Sequence, residues 1–323
     1  MDRPEFTPDE GRALSGALRA VAAADGREPS AMQQPMIEGL AALMLSTPAD
    51  DIPTGVTPAD LGAALTDPLQ RQFAAQLVVL VALVDPRPDP DCVAAADRFC
   101  RALGKRPENL ALLHEVTQRK IRRSRHHLFR RFLVDSVRTG SLKGDVLRIH
   151  HMIEETHDHP EIAEPYLALA DQPEGTFGNY FFEFYRNRGF KFPGEEGGLP
   201  TAYGFEVHDS AHLLSGYNTD PRDEINVLAF QAGATSRFPW LILAVNLVTF
   251  NSGLAYGPTA LLHYHPHTDN LDPAEFVRAL DRGSRVNRDL SADFDIHAAW
   301  DIPIEELRQE LGIDSARDVR IPT

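Results

Sequence analysis

Cysteine is almost absent from this sequence: Cys92 and Cys100 are the only two in 323 residues. That excludes a disulfide framework and is expected of a chain kept in a reducing compartment. Long apolar runs are missing too. The longest, 77–84 and 240–250, fall well short of the roughly 20 residues that a membrane-spanning helix needs. Basic charge is scarce: 32 Lys and Arg stand against 47 Asp and Glu, a net charge of −15. The deficit argues against general binding to nucleic acid, whose phosphate backbone asks for a basic face. The first residues, MDRPEFTPDEGRAL, carry no apolar segment of the secretory type, so a cytoplasmic location is expected. No G-x-G-x-x-G, Walker A or G-x-S-x-G pattern occurs, which leaves nucleotide binding and a nucleophile elbow without support.

What is present reads as helix. Leu14, Leu18, Val21 and Ala22 recur at helical spacing, as do Met32, Met36, Ile37, Leu40, Leu43 and Met44 over 31–46. The run 77–84 is apolar on all sides, as in a helix buried within a small bundle. No period-two run of useful length occurs except 262–267, so the expected fold class is all-α. The length favours two domains. A small helical bundle is expected over 1–108, a basic linker helix over 109–145, and a second helical domain over 146–323, where aromatic residues cluster between Phe177 and Phe192.

Two segments of the first third, AVAAADGREPSAMQQPMIEGLAALM and LVALVDPRPDPDCVAAADRFCRALG, share a plan: apolar helix, Asp-led turn, amphipathic helix. This weak repeat resembles the tellurite-resistance (TerB-like) helical domain. That resemblance implies metal binding at acidic turns, here Asp25, Asp85, Asp89 and Asp91; the same residues serve equally as helix caps and turn formers. The linker helix carries RKIRRSRHHLFRR at 119–131, seven Lys or Arg and no acid. Outside it the chain holds 25 basic against 47 acidic residues, a balance of −22. Such a band is either a solvated face docked on acidic neighbours or a contact for an anionic membrane through Arg122, Arg123 and Arg125.

The segment VHDSAHLLSGYNTDPRDEINVLAF, 207–230, carries the chemistry. His208 and His212 stand at i and i+4, so a helix sets both imidazoles on one face. Asp209 lies about 100° round that helix. Gly216 is placed to end it. Asp220 as N-cap and Pro221 at the first position open a second helix, and Glu224 lies one turn along it, able to point back at the histidines. Two imidazoles and one or two carboxylates suit Zn²⁺ or Fe²⁺, and three protein ligands leave positions open for substrate.

The spacing His208-Asp209-x-x-His212, eleven residues, Glu224 resembles the signature of the ubiquinone-biosynthesis coenzyme Q protein 4 family. Three further segments are similar to that family's motifs in the same order: Pro173-Glu174-Gly175-Thr176-Phe177-Gly178; His212-Leu213-Leu214-Ser215-Gly216; and Ala299-Trp300-Asp301 with Pro303 to Ile313. The resemblance implies an all-α fold and a divalent metal held by His208, Asp209, His212 and Glu224. It implies oxidative decarboxylation of a prenylated 4-hydroxybenzoate, with the aromatics 177–192 and the helix 240–250 sheltering the isoprenoid. It also implies homodimers, peripheral attachment to the inner face of a membrane, and association with other quinone-pathway enzymes. Ser210-Ala211, where the family has bulkier residues, leaves a related aromatic acid open as substrate. A lipid-binding scaffold without turnover is the alternative from another class, and a His-Asp phosphohydrolase is disfavoured because it leaves His212 unexplained.

His150, His151, Glu154, His157 and His159 form a second group at helical spacing, either a solvated face or ligands. His263, His265 and His267 alternate; His265 is the candidate acid/base at the metal rim. Cys92 and Cys100, two turns apart on an Ala-rich helix, are expected in the core. Reversing Arg122, Arg123 and Arg125 to Glu is expected to weaken co-sedimentation with anionic liposomes at least tenfold, since each basic residue near such a surface contributes about 1 kcal/mol. Unchanged binding would assign the band to contacts within the chain.

Overall fold

The computed structural model describes residues 1–118, 154, 157–198, 205–236, 238–251 and 270–314. Among these the chain is all-α, as its periodicity requires, with no strand beyond one isolated bridge between Thr176 and Pro303. The first third forms α1 (Pro8–Ala22), α2 (Gln33–Met44), α3 (Pro58–Ala64), α4 (Pro68–Leu83), α5 (Pro90–Ala102) and α6 (Glu108–Thr117). The remainder forms α7 (Pro160–Leu167), α8 (Phe177–Asn187), α9 (Phe205–Ser215), α10 (Pro221–Gly233), α11 (Pro239–Asn246), α12 (Pro273–Ser284) and α13 (Ile304–Glu310). A π-helical turn, Leu247–Asn251, continues α11.

One device starts six of these helices. Thr7, Thr57, Asp67, Asp89, Asp220 and Asp272 each accept a backbone N–H of the turn they open, and each precedes a proline. The side chain satisfies a donor that has no intrahelical partner, and proline occupies a position where its missing N–H costs nothing. Thr7 with Glu10 and Thr57 with Asp60 complete reciprocal capping boxes.

The helix α4 is the centre of the first third. Every residue from Phe73 to Val84 is buried, with α1, α2, α5 and α6 packed around it. Cys92 and Cys100 are buried in the same core, and burial pushes the Cys100 thiol up to about 12. The acidic turns have structural partners. Asp89 caps α5 and pairs with Arg27 at 2.9 Å, and Asp91 stands 3.8 Å from the same guanidinium. Asp85 accepts from Ser30 Oγ at 2.6 Å. Asp25 lies in a 3₁₀ turn, Ala24–Gly26. Asp89, Asp91 and Asp85 thus serve as cap, ion-pair and hydrogen-bond partners, and none of the three joins the convergent group of ligand atoms found among the described residues.

Two helices of the second half join this bundle. On α11, Trp240 meets Phe73 edge-on at 5.2 Å and its carbonyl accepts from Asn109 Nδ2 at 2.6 Å. α12 lies between α2 and α10, so residues on both sides of position 108 share packed faces. The crossing of α12 and α10 is set by glycine. A Cβ on Gly283 would stand 2.0 Å from the Phe230 carbonyl oxygen, and one on Gly233 would stand 2.3 Å from that of Leu280. No helix among the described residues is long and apolar enough to cross a membrane.

Several sequence readings lie outside the described residues: the basic band with Arg122, Arg123 and Arg125, the histidines 150 and 151, and the 262–267 stretch with His263, His265 and His267. Of the expected long helix from Asn109, the described part is α6.

Gly283→Ala tests the crossing with a sign opposite to helix propensity. An exposed helical glycine gains about 1 kcal/mol on becoming alanine. Here the added methyl meets backbone, so a loss of about 1–3 kcal/mol is expected, read as a lower urea midpoint.

Candidate metal centre

The helix α9 carries His208, Asp209 and His212, and its end is built by Gly216, whose φ of 82° suits a residue without a Cβ. Its N–H donates to the His212 carbonyl at 2.8 Å. The chain then turns back within four residues. The Asp223 carboxylate accepts from Asn218 N at 2.9 Å and closes the loop, and Asp220 caps α10. This hairpin brings Glu224, one turn into α10, against the two histidines, as the spacing predicts.

The Glu224 carboxylate oxygens lie 3.3 Å from His208 Nε2 and 3.4 Å from His212 Nε2, and the two Nε2 atoms are 3.3 Å apart. Each imidazole is held from behind. His212 Nδ1 is 3.0 Å from the Tyr217 carbonyl, which can only accept, so Nδ1 carries the proton. His208 Nδ1 meets the Gln231 side-chain oxygen at 3.2 Å in the same way. Both Nε2 lone pairs therefore face the carboxylate. Three acceptors pointed at one another are unfavourable unless a proton or a cation lies among them.

In the absence of a metal a proton serves. Burial pulls the His208 pKa down, but its hydrogen bond and charge interaction with Glu224 outweigh this and raise it to about 9. Burial likewise raises Glu224, and the two imidazoles overcome it and hold the carboxyl at about 2. A divalent ion fits the same space. Ligands about 2.0–2.1 Å from a four-coordinate ion stand about 3.3 Å apart, the spacing found here. These three residues could hold such an ion, and among the described residues they are the group whose ligand atoms converge. The His212 side chain is only 2% exposed, whereas His208 and Glu224 remain 20% and 19% exposed, so the group opens to solvent on one side.

Asp209, named with the other three from the signature, stands on the adjoining face of α9. It is buried, and its Oδ2 accepts from Tyr185 Oη at 2.5 Å. Burial raises its pKa against the pull of both histidines. Tyr185 stacks on Phe192 at 4.4 Å and Phe181 at 5.0 Å. Phe177, Phe181, Phe184 and Tyr185 form the buried stripe of α8, packed on one another, while Phe190 is 43% exposed.

The other segments singled out in the sequence meet around this hairpin. Phe177 N and Gly178 N donate to the Ile302 and Trp300 carbonyls, each at 2.8 Å, and a Cβ on Gly178 would stand 2.8 Å from that Trp300 oxygen. Arg308, 5% exposed, donates to the Leu213 and Leu214 carbonyls, and Arg282 donates to that of Ser215 at 3.1 Å. Two cations thus satisfy the last carbonyls of the helix bearing the histidines. Sequence reasoning missed Gln231, Tyr185, Arg282 and Arg308. Gln231 alone left a signal, seven residues after Glu224 and so two turns along the same face.

In the second histidine group, His159 N donates to the Gly194 carbonyl at 2.7 Å and His157 N to that of Glu154 at 3.0 Å. No protein-family model matches the chain, and comparisons with curated proteins and with solved structures also give no match.

The His208–Glu224 pair makes stability depend on pH. A histidine raised from 6.5 to about 9 stabilises fully below pH 6.5 and loses that contribution as pH rises through 9; Glu224 loses its share only as pH falls from 4.5 through 2. Metal-free protein is therefore expected to lose on the order of 2 kcal/mol between pH 6.5 and 9.5, measured by urea unfolding. His208→Gln should remove that part of the slope.

Proposed function

We propose that the protein is a metal-dependent enzyme acting on a prenylated 4-hydroxybenzoate or a related aromatic acid, with His208, His212 and Glu224 as ligands and Asp209 supporting them. The observation that carries this reading is the convergence of two Nε2 lone pairs and a carboxylate at about 3.3 Å. Each imidazole is fixed by an acceptor behind it, the arrangement of a ligand held ready for an ion. Zn²⁺ suits the four-coordinate spacing; Fe²⁺ suits a two-histidine, one-carboxylate set with open positions.

Once bound, a divalent ion supplies Lewis acidity toward a carboxylate or phenolate, stabilising negative charge as carbon dioxide departs. The rest falls to the chain. Tyr217 O and Gln231 orient the imidazoles, and the Tyr185 hydroxyl donates to one Asp209 oxygen. Phe184 covers the His212 ring at 5.5 Å and keeps water from its buried side. The substrate class is supported by the sequence resemblance. Its motif segments pack against one another around α9, which is expected if they serve one site. Attachment to a membrane and association with quinone-pathway enzymes belong to the same proposal.

Metal content tests the centre. Purified wild type is expected to hold about one Zn²⁺ or Fe²⁺ per chain by elemental analysis, and His212→Ala and Glu224→Ala are expected to lose at least 10-fold in affinity; equal content in all three removes the site. Incubation with a prenylated 4-hydroxybenzoate, metal and dioxygen then separates catalysis from a scaffold role. Release of carbon dioxide supports the enzyme, and tight binding without turnover supports the scaffold.

A further inference from the structure

Arg188 follows the last residue of α8 and reaches toward the metal-ligand hairpin. Its guanidinium lies 4.1 Å over the Phe184 ring, and Phe184 lies 5.5 Å from the His212 ring. Those two steps place the cation within about 10 Å of the imidazole, on the order of one Debye length. The acceptors it uses are all neutral: Nε donates to Thr219 Oγ1 at 3.1 Å, Nη2 to Asn218 Oδ1 at 3.0 Å and Nη1 to the Phe184 carbonyl at 3.3 Å. A guanidinium has five N–H groups, so one on each Nη remains unused by these bonds.

The charges that act on Arg188 are those of the centre. Burial pulls its pKa down, and Asp209 and Glu224 oppose that pull. Both carboxylates are already engaged, Asp209 by Tyr185 and Glu224 by the imidazoles. Thr219 and Asn218 hold the guanidinium fork in place from the loop that joins α9 to α10. A half-buried, oriented arginine with two spare donors and, among the described residues, no carboxylate paired with it is suited to an anion from outside, which it attracts chiefly through its charge.

We propose that Arg188 receives the carboxylate of a ligand bound at the His208–His212–Glu224 centre, and so selects acids over their neutral analogues. This rests on the reading of that centre as an aromatic-acid site. The bland role for the same contacts is a clamp between α8 and the 216–219 loop, and the choice of variants separates the two. R188Q removes the charge; R188K keeps it but loses the fork that grips Asn218 and Thr219.

The experiment measures binding of 4-hydroxybenzoate and of 4-hydroxybenzamide to full-length protein by calorimetry, alongside zinc and iron content. Wild type is expected to favour the acid, R188K to keep most of that preference, and R188Q to reduce it about tenfold with metal content unchanged. An undiminished preference in R188Q overturns the proposal, as does equal affinity of wild type for acid and amide. Loss of preference in R188K as complete as in R188Q also overturns it and leaves the clamp. Metal content reports on the centre separately. If wild type binds neither zinc nor iron while the acid preference still falls in R188Q, the metal reading fails and Arg188 keeps its role.

Discussion

The hydrogen bond from His212 Nδ1 to the Tyr217 carbonyl is the contact on which the centre depends. It exists because α9 stops at Gly216, where a left-handed residue turns the chain so that the next carbonyl faces back at the helix. Once Nδ1 is committed, Nε2 has one direction left to present its lone pair. Glu224 lies in that direction because four residues of loop and an Asp-Pro start put α10 alongside. Moving the turn by one residue would rotate Glu224 about 100° around its helix and away from the imidazoles. The position of α10 itself is set from the other side, where Gly233 and Gly283 let it cross α12 with backbones in contact.

Polar satisfaction links this hairpin to the rest of the chain. A helix ends with carbonyls that have no partner, and α9 ends where bulk water is excluded, with Leu213 and Leu214 buried. Arg308 and Arg282 supply the missing donors from α13 and α12. The Thr176–Gly178 segment in turn pairs with the backbone at 300–304 that leads into α13. Residues far apart in the chain thus share one task, holding the C-terminal end of a single helix in an apolar setting.

Much of this was legible in the sequence. The i, i+4 histidines, the Gly216 stop and the Asp220-Pro221 start are local signals, fixed by backbone sterics and capping chemistry, and they bring His208, His212 and Glu224 together without knowledge of the tertiary fold. The same Asp-Pro and Thr-Pro pairs mark the starts of five other helices. What was not legible depends on packing. Asp209 sits in the signature beside His208, yet its hydrogen-bond partner comes from α8, and no spacing in the sequence brings Tyr185 to it. Arg308 lies in the 303–313 segment that resembles a family motif, yet only the buried end of α9 gives its charge a purpose. The TerB-like resemblance implied metal at the acidic turns of the first third; of these, Asp89 and Asp91 pair with Arg27 and Asp89 caps a helix, contacts that no spacing in the sequence announces.

The reach of Arg308 to Leu213 spans 95 residues of sequence, and this has a consequence for how the protein is made. A ribosome adds about 5–20 residues per second, so the histidine-bearing helix emerges several seconds before the cation that completes its end. During that interval α9 and α10 can pair as a hairpin, but the helix end facing the core lacks its donors and favours water. The His208–His212–Glu224 cluster acquires its dry setting only after residue 308 has been synthesised, which makes it a feature that matures late.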